Sequence, residues 1–444
     1  MLVLPNVPIS PLQIDISTAN LDPEILALRS CLGISSENNR SELVRYILKL
    51  EEYVEELFLY AQKQTGIQDT NNLKKFIEGH VIFSTKLIPW SKVTLGNKES
   101  KNKKLFGRTS GDSKTSLDWT IGNEVEVSVV AIALVYLNLS SILVRELMEV
   151  EEEEEIANTK WKQVSSNLKK GISYLAFIEK FDIDSKFNVN RLLYSLLSKV
   201  SLISMQMCTL CRSSWTNSKQ FDSTESVLSR NNGTLSKVAI YVVDELRGLQ
   251  DIVESLQTDK GNLNVDYSGW KDYFAVIIRY ISAYSGLFLS IEYYQKDKLG
   301  DAIGLLNFSL LNLQCKNIRE LDEKNGNFFS KLRRKASHYK LQRYIRELQS
   351  VTTLNLDETM FKNSGLVLED ISLVFSQLIR LRVKFMKENN NLKFDDVTDW
   401  RTIHEDTKWP LGCGIPLSLL EPYEPAALKG NKIPLESSCR MAYY

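Results

Sequence analysis

From Trp270 to Leu313, apolar side chains recur in steps of three and four. They run through Trp270, Phe274, Ile277, Ile281, Tyr284, Phe288 and Ile291, and after a polar break at 295–300 resume at Ile303, Leu306, Leu310 and Leu313. This spacing lines one face of a helix, so two runs across a short break predict an antiparallel helix pair. Ala275, Ala283 and Gly286 leave room for a close neighbour, and Gly300 with Asp301 suits a stop and restart of the chain. Pairs of this kind stack into scaffolds rather than enclosing pockets.

The same spacing returns elsewhere. Leu43, Ile47, Leu50, Val54 and Leu57 predict a helix over 41–64. Val127, Val130, Leu134, Leu137 and Val144 predict one from Glu124, and Trp161, Leu168, Ile172 and Leu175 its antiparallel partner. The acidic run Glu151–Glu155 between them reads as a loop or a solvated helix end. Further helices are expected near 188–213, 234–256, 328–348 and 364–387. Four prolines lie before residue 24, one is Pro89 and five lie from Pro410 onward, so 91–409 contains nothing that forbids helix. The pattern changes between Val81 and Gly122. Val81-Ile82-Phe83 and 116–121 read as short strands around a lysine-rich, glycine-punctuated loop at 96–114. The prediction is a mostly α chain: one body over 1–400, with a small sheet at about 81–122 and a helical core at about 124–390. A proline-rich irregular strap or tail follows over 401–444.

Composition narrows the function classes. Of the 444 residues, 55 are basic and 55 acidic, so no global field draws the chain to nucleic acid or to an anionic membrane. The first residues lack the basic and apolar regions of a secretory signal, and six scattered cysteines suit a reducing compartment, so a cytoplasmic protein is expected. The uncharged stretch 127–144 holds Ser128, Asn138, Ser140 and Ser141, as suits a buried core helix rather than a membrane span.

Chemistry is sparse. His80, His338 and His404 are far apart, and Cys208-x-x-Cys211 lies inside a helical run with no second pair, which suits structural cysteines. No glycine loop that cradles phosphate occurs. No catalytic, cofactor or metal site is expected, and binding has to come from surface shape. Lys331, Arg333, Arg334, Lys335, Lys340 and Arg343 concentrate positive charge on one helix. They form either a solvated face or a contact for acidic partner residues or anionic lipid head groups.

Several of these residues, taken in order, resemble a known signature. Trp270, Phe274, Tyr280 and Ala283 precede Gly300-Asp301-Ala302-Ile303 and Leu306. Upstream stand Ile82-Phe83, Trp90, Leu117, Glu124, Glu126, Tyr136-Leu137-Asn138-Leu139 and Ser141, then Trp161, Leu168, Gly171 and Leu175. Together they resemble the Bro-domain family over roughly 10–400, most of all its PalC branch of stand-alone domains with a short tail. The resemblance implies an elongated, banana-shaped domain with a tetratricopeptide-like helical core. It also implies a non-enzymatic adaptor for alkaline-pH signalling in fungi, recruited through its partners to endosomal membrane or cell cortex. The implied partners are the C-terminal helix of the filament-forming ESCRT-III subunit and other pH-signalling components. Carried onto this sequence, the partner patch falls on Leu210, Thr234, Val238 and Ile345; the alternative reading makes these ordinary core positions. Two rivals stay open: a general endosomal-sorting adaptor, and an unrelated tetratricopeptide-like peptide-binding scaffold, which would lack the sheet.

Overall fold

The computed structural model describes residues 2–13, 19–34, 39–66, 70–95, 117–149, 154–224, 227–258, 262–313, 365–399, 402, 409–418 and 420–429. Local chemistry starts the first helices. Asp22 accepts a hydrogen bond from the Glu24 N–H (3.0 Å) ahead of Pro23, opening α1 (Pro23–Ser30), and Asn39 accepts from the Ser41 N–H (2.9 Å), opening α2 (Arg40–Thr65). α2 closes on Gly66 at φ 70°, a left-handed position that glycine takes without strain. α3 (Thr70–Gly79) leads into β1 (Val81–Thr85).

Two antiparallel ribbons follow rather than one sheet. β1 pairs with β3 (Leu117–Thr120), in the register Val81 to Thr120 and Phe83 to Trp119 with an irregularity between them. β2 (Val93–Leu95) pairs with β4 (Leu263–Val265), Val93 opposite Val265. The first ribbon agrees with the sequence reading. The second joins strands of three residues each, too short for alternation to register and far apart in the chain.

The helical body is an array in chain order. α4 (Ile121–Glu149) packs on α5 (Glu154–Phe181), α5 on α6 (Arg191–Thr224), α6 on α7 (Asn232–Thr258), α7 on α8 (Trp270–Gln295) and α8 on α9 (Leu299–Asn312). α10 (Gly365–Glu388) then packs back over α9, α4, α8 and α6. α4 and α8 are long and apolar enough to cross a membrane. The apolar stretch of α4 is wholly buried, covered by α2, α3, α5, α6 and α10, so its hydrophobicity is that of a core helix. The predicted helices all appear where they fall on described residues; the one near 328–348 and the 96–114 loop lie outside them.

The Trp270–Leu313 pair forms as the spacing predicts, but its small residues serve different ends. A Cβ on Gly286 would stand 2.2 Å from Ser309 Oγ and 3.0 Å from the Leu305 carbonyl oxygen, so this glycine sets the closeness of α8 and α9. Ala283 is buried, whereas Ala275 faces solvent and allows no approach. Gly300 is not the turn. The left-handed residue between the helices is Asp297 (φ 64°), and Gly300 lies inside α9, where a Cβ would meet the Asp396 carbonyl oxygen at 2.1 Å. Glycine there admits the loop after α10, which Asp395 ties to the Leu299 N–H (3.2 Å) and Thr398 to Asp301 (2.6 Å).

Gly286→Ala is expected to lower stability by about 1–3 kcal/mol, because the intruding atom meets packed helix rather than space. Gly248→Ala in α7, where a Cβ meets nothing within 4 Å, should raise it by about 0.5–1 kcal/mol through helix propensity. Urea midpoints of the two variants measure both.

Two carboxylates organise the end of the body where the strands lie. Glu124, fully buried in the first turn of α4, accepts from Arg29 Nε (2.7 Å), Tyr53 OH (3.0 Å), Trp90 Nε1 (3.0 Å) and Trp119 Nε1 (2.6 Å). Arg29 also donates to the Leu12 and Pro89 carbonyls (2.8 and 3.0 Å). One buried ion pair thus joins α1, α2, α4, β3 and the N-terminal segment. Two residues on, Glu126 points elsewhere and accepts from the Val189 N–H (3.2 Å) and Tyr194 OH (2.9 Å). The N-terminal segment is itself core. Leu2, Leu4, Val7 and Ile9 are buried, and it is pinned by the Val3 N–H to Tyr273 OH (2.8 Å) and by Trp270 Nε1 to the Pro5 carbonyl (2.8 Å).

Candidate partner-binding face

The face in question is built by α6, α7 and α8. Each helix has a neighbour on both sides, so positions at apolar spacing turn into the helix interfaces. Leu235, Val238, Val242, Leu246 and Leu249 form such a stripe on α7, and Met207, Leu210 and Ser214 its counterpart on α6. Leu210 is 0% exposed and Val238 1%. Neither offers a partner any surface, so the predicted patch is corrected: these two residues hold the array together. Thr234, at the start of α7, is exposed and offers surface to a partner. Ile345 lies outside the described residues, as do Lys331, Arg333, Arg334, Lys335, Lys340 and Arg343.

Beside Thr234 a cavity of about 580 Å³ opens between the start of α7 and the end of α8. Leu289 and Tyr293 line it from α8, Thr234 and Lys237 from α7, and Pro410 from the C-terminal segment. Glu292 accepts from the Gly233 N–H (3.1 Å) at the start of α7 and pairs with Lys296 (2.9 Å). Lys298 stands over the Tyr293 ring at 5.6 Å. Lys237, Lys296 and Lys298 therefore set a basic lip against a single carboxylate in this cavity's lining. The missed signal was local: Lys296 and Lys298 lie within the polar break between the helices of the Trp270–Leu313 pair, and Lys237 sits one residue before the apolar Val238.

Among the described residues no group of three or more His, Cys, Asp and Glu side chains could hold a metal ion. Cys208 and Cys211 are buried inside α6, and Cys211 Sγ accepts from Tyr284 OH (3.9 Å). Burial pushes the Cys208 thiol up to about 12, far from the range of a reactive thiolate. His80 stacks on Phe76 at 4.7 Å, and its Nε2 stands 2.9 Å from the Asn20 carbonyl oxygen.

Residues 119–444 match the model of a family of unknown function, DUF5355. No curated protein matches the chain. Among solved structures, it is similar to a Bro1 domain studied for endosomal targeting (12% identity, 84% of this chain and 76% of that one, TM-score 0.43). It is also similar to the ALIX BRO1 domain in complex with CHMP4C (14% identity, 96% and 98%, TM-score 0.46). A third is ALIX in complex with the SIVmac239 PYKEVTEDL late domain (13% identity, 90% and 44%, TM-score 0.43). Superpositions this loose do not carry those proteins' properties to this chain.

Proposed function

We propose, for a chain that belongs to the DUF5355 family of unknown function, a non-enzymatic adaptor whose helical array receives a helix from a partner protein. The observation that carries this reading is the packing of α4 to α9, each helix on the next in chain order. Such an array displays a continuous face of exposed helix positions, which is what a helix-in-groove partner needs. The Bro-like residues support the finer reading, in which the partner is the C-terminal helix of the filament-forming ESCRT-III subunit. They occur on a strand, a first long helix and an aromatic helix pair, in the order the resemblance implies. The adaptor then serves alkaline-pH signalling of the PalC type and reaches endosomal membrane or cell cortex through its partners.

With Leu210 and Val238 in the core, the contact is assigned to the cavity lined by Thr234, Lys237 and Tyr293. Lys237→Glu reverses one exposed charge there and touches no core packing. Pull-down of the purified ESCRT-III subunit should fall at least about tenfold with this variant while its melting temperature stays native, a loss of hot-spot size. Equal capture by both proteins would move the contact elsewhere. Deletion of the gene should give alkaline sensitivity; vacuolar missorting without it would favour general endosomal sorting.

A further inference from the structure

The C-terminal segment runs across the helices of the array in reverse chain order. Trp409 packs edge-on against Phe308 of α9 (5.2 Å) and against the small cluster formed by Leu289 of α8 and Leu305 of α9. Gly412 and Gly414 lie directly on Tyr241 of α7, where a Cβ would stand 2.7 Å from its backbone nitrogen and 2.8 Å from its ring, respectively. Ile415 sits on α6, Ser418 meets Lys169 of α5 (2.7 Å), and Tyr423 reaches α5 and α2. α11 (Ala426–Lys429) ends the run on α2.

How the array holds this segment is the telling part. The Cys413 N–H donates to the Lys237 carbonyl (3.0 Å), and the Tyr423 N–H to the Ser173 carbonyl (3.0 Å). Gln206 pairs with both main-chain groups of Ile415, donating to its carbonyl (2.9 Å) and accepting from its N–H (3.0 Å). Glu55 accepts from the Ala426 N–H (2.9 Å), and Gln62 donates to the Ala427 carbonyl (3.0 Å). These contacts read an extended backbone, as peptide grooves do, and leave identity to a few anchors. The anchors are the two glycines and Tyr423, which stacks on Tyr174 (4.1 Å), meets Phe177 edge-on (5.4 Å) and donates to Glu55. Between anchors the segment is shallow: Leu411 is 88% exposed, and Pro416 and Ser418 are exposed too. A permanent core strand would bury its leucine.

We propose that the track from Tyr241 through Gln206 and Ser173 to Glu55 is a peptide-binding site, that residues 409–429 are its resident ligand, and that an extended partner segment with small, proline-flanked residues and a tyrosine anchor exchanges with them. The proposal concerns an extended ligand on a track that meets the Thr234 cavity only at Pro410 and Lys237, and it does not rest on the helix-binding reading.

The probe is a fluorescein-labelled synthetic peptide with the sequence of residues 409–429, titrated into the full chain by anisotropy. The wild type should bind it weakly, since the tethered copy holds the site at an effective concentration of about millimolar. Ile415→Asp combined with Tyr423→Asp weakens the resident copy and sets a carboxylate against Glu55. This chain should bind the wild-type peptide at least about tenfold tighter, and adding Gln206→Ala should remove that gain. A natively melting double variant that fails to bind overturns the proposal. If the double variant does not fold, hydrogen exchange on the wild type decides. Amides of Cys413, Ile415 and Tyr423 exchanging at least about a hundredfold faster than those of Val242 and Leu246 support exchange of the segment, and equal protection contradicts it.

Discussion

Glu124→Ala is expected to destabilise the chain by about 3–5 kcal/mol, the cost of breaking a buried ion pair by removing one partner. Arg29 would keep its charge where its side chain is 5% exposed, with the Leu12 and Pro89 carbonyl oxygens but no carboxylate to receive it. Tyr53 OH and the indole N–H groups of Trp90 and Trp119 would lose their acceptor at the same time, and each buried donor left unmade adds to the loss. The ties to α1, α2 and β3 are made by one side chain, so the N-terminal third should loosen together. Glu124→Gln keeps the shape but opposes an amide N–H₂ to these donors, and should recover only part of the loss. Urea unfolding followed by tryptophan fluorescence measures it, because Trp90 and Trp119 are themselves the reporters. A loss below about 1 kcal/mol for the alanine variant, the size of one ordinary hydrogen bond, would contradict the hub.

Glu126 should make stability depend on pH in the direction opposite to an ordinary paired carboxylate. Burial raises its carboxyl from 4.5 to about 8, against smaller lowering effects from the Val189 N–H, Tyr194 OH and the nearby Arg191; Asp182 adds a further rise. A raised folded pKa means that the folded chain holds a proton the unfolded chain has released. Its contribution is thus fully present below about pH 4.5 and is lost as pH rises through about 8. Glu126→Gln cannot ionise. Its stability minus that of the wild type should climb by a few kcal/mol between pH 5 and pH 8.5, whatever the other groups do, since moving a pKa by one pH unit corresponds to about 1.4 kcal/mol. Melting temperatures of the two proteins across that range give the difference. A difference that stays flat would mean that Glu126 is solvated or charge-paired when folded.

The long helices were legible because their apolar stripes run through many turns, as on α2, α4 and α8. The first ribbon was legible because Val81-Ile82-Phe83 breaks that period. The N-terminal and C-terminal segments were harder to read, since an extended segment buried one side chain at a time leaves no period. The prolines at Pro5, Pro8 and Pro11 suit the non-helical course of this segment, but nothing in the spacing showed that Leu2, Leu4 and Ile9 would be core. Gly300 was legible as special but for the wrong reason, because a close approach by Asp396 cannot be told from a turn until the chain is folded. Leu210 and Val238 failed as surface residues for a reason already in the sequence. Their apolar spacing is that of an interface between helices, and exposure has to be sought one position away, at Lys237. Glu124 and Glu126 entered through a resemblance and emerged as the two buried carboxylates on which the first turns of α4 depend.

Calorimetric titration of the full chain with a peptide of the ESCRT-III subunit's C-terminal helix tests the central claim most directly. The adaptor reading predicts saturable one-to-one binding by the wild type, weakened at least about tenfold by Lys237→Glu, which is about 1.4 kcal/mol. Absence of binding by a natively folded wild type would contradict it.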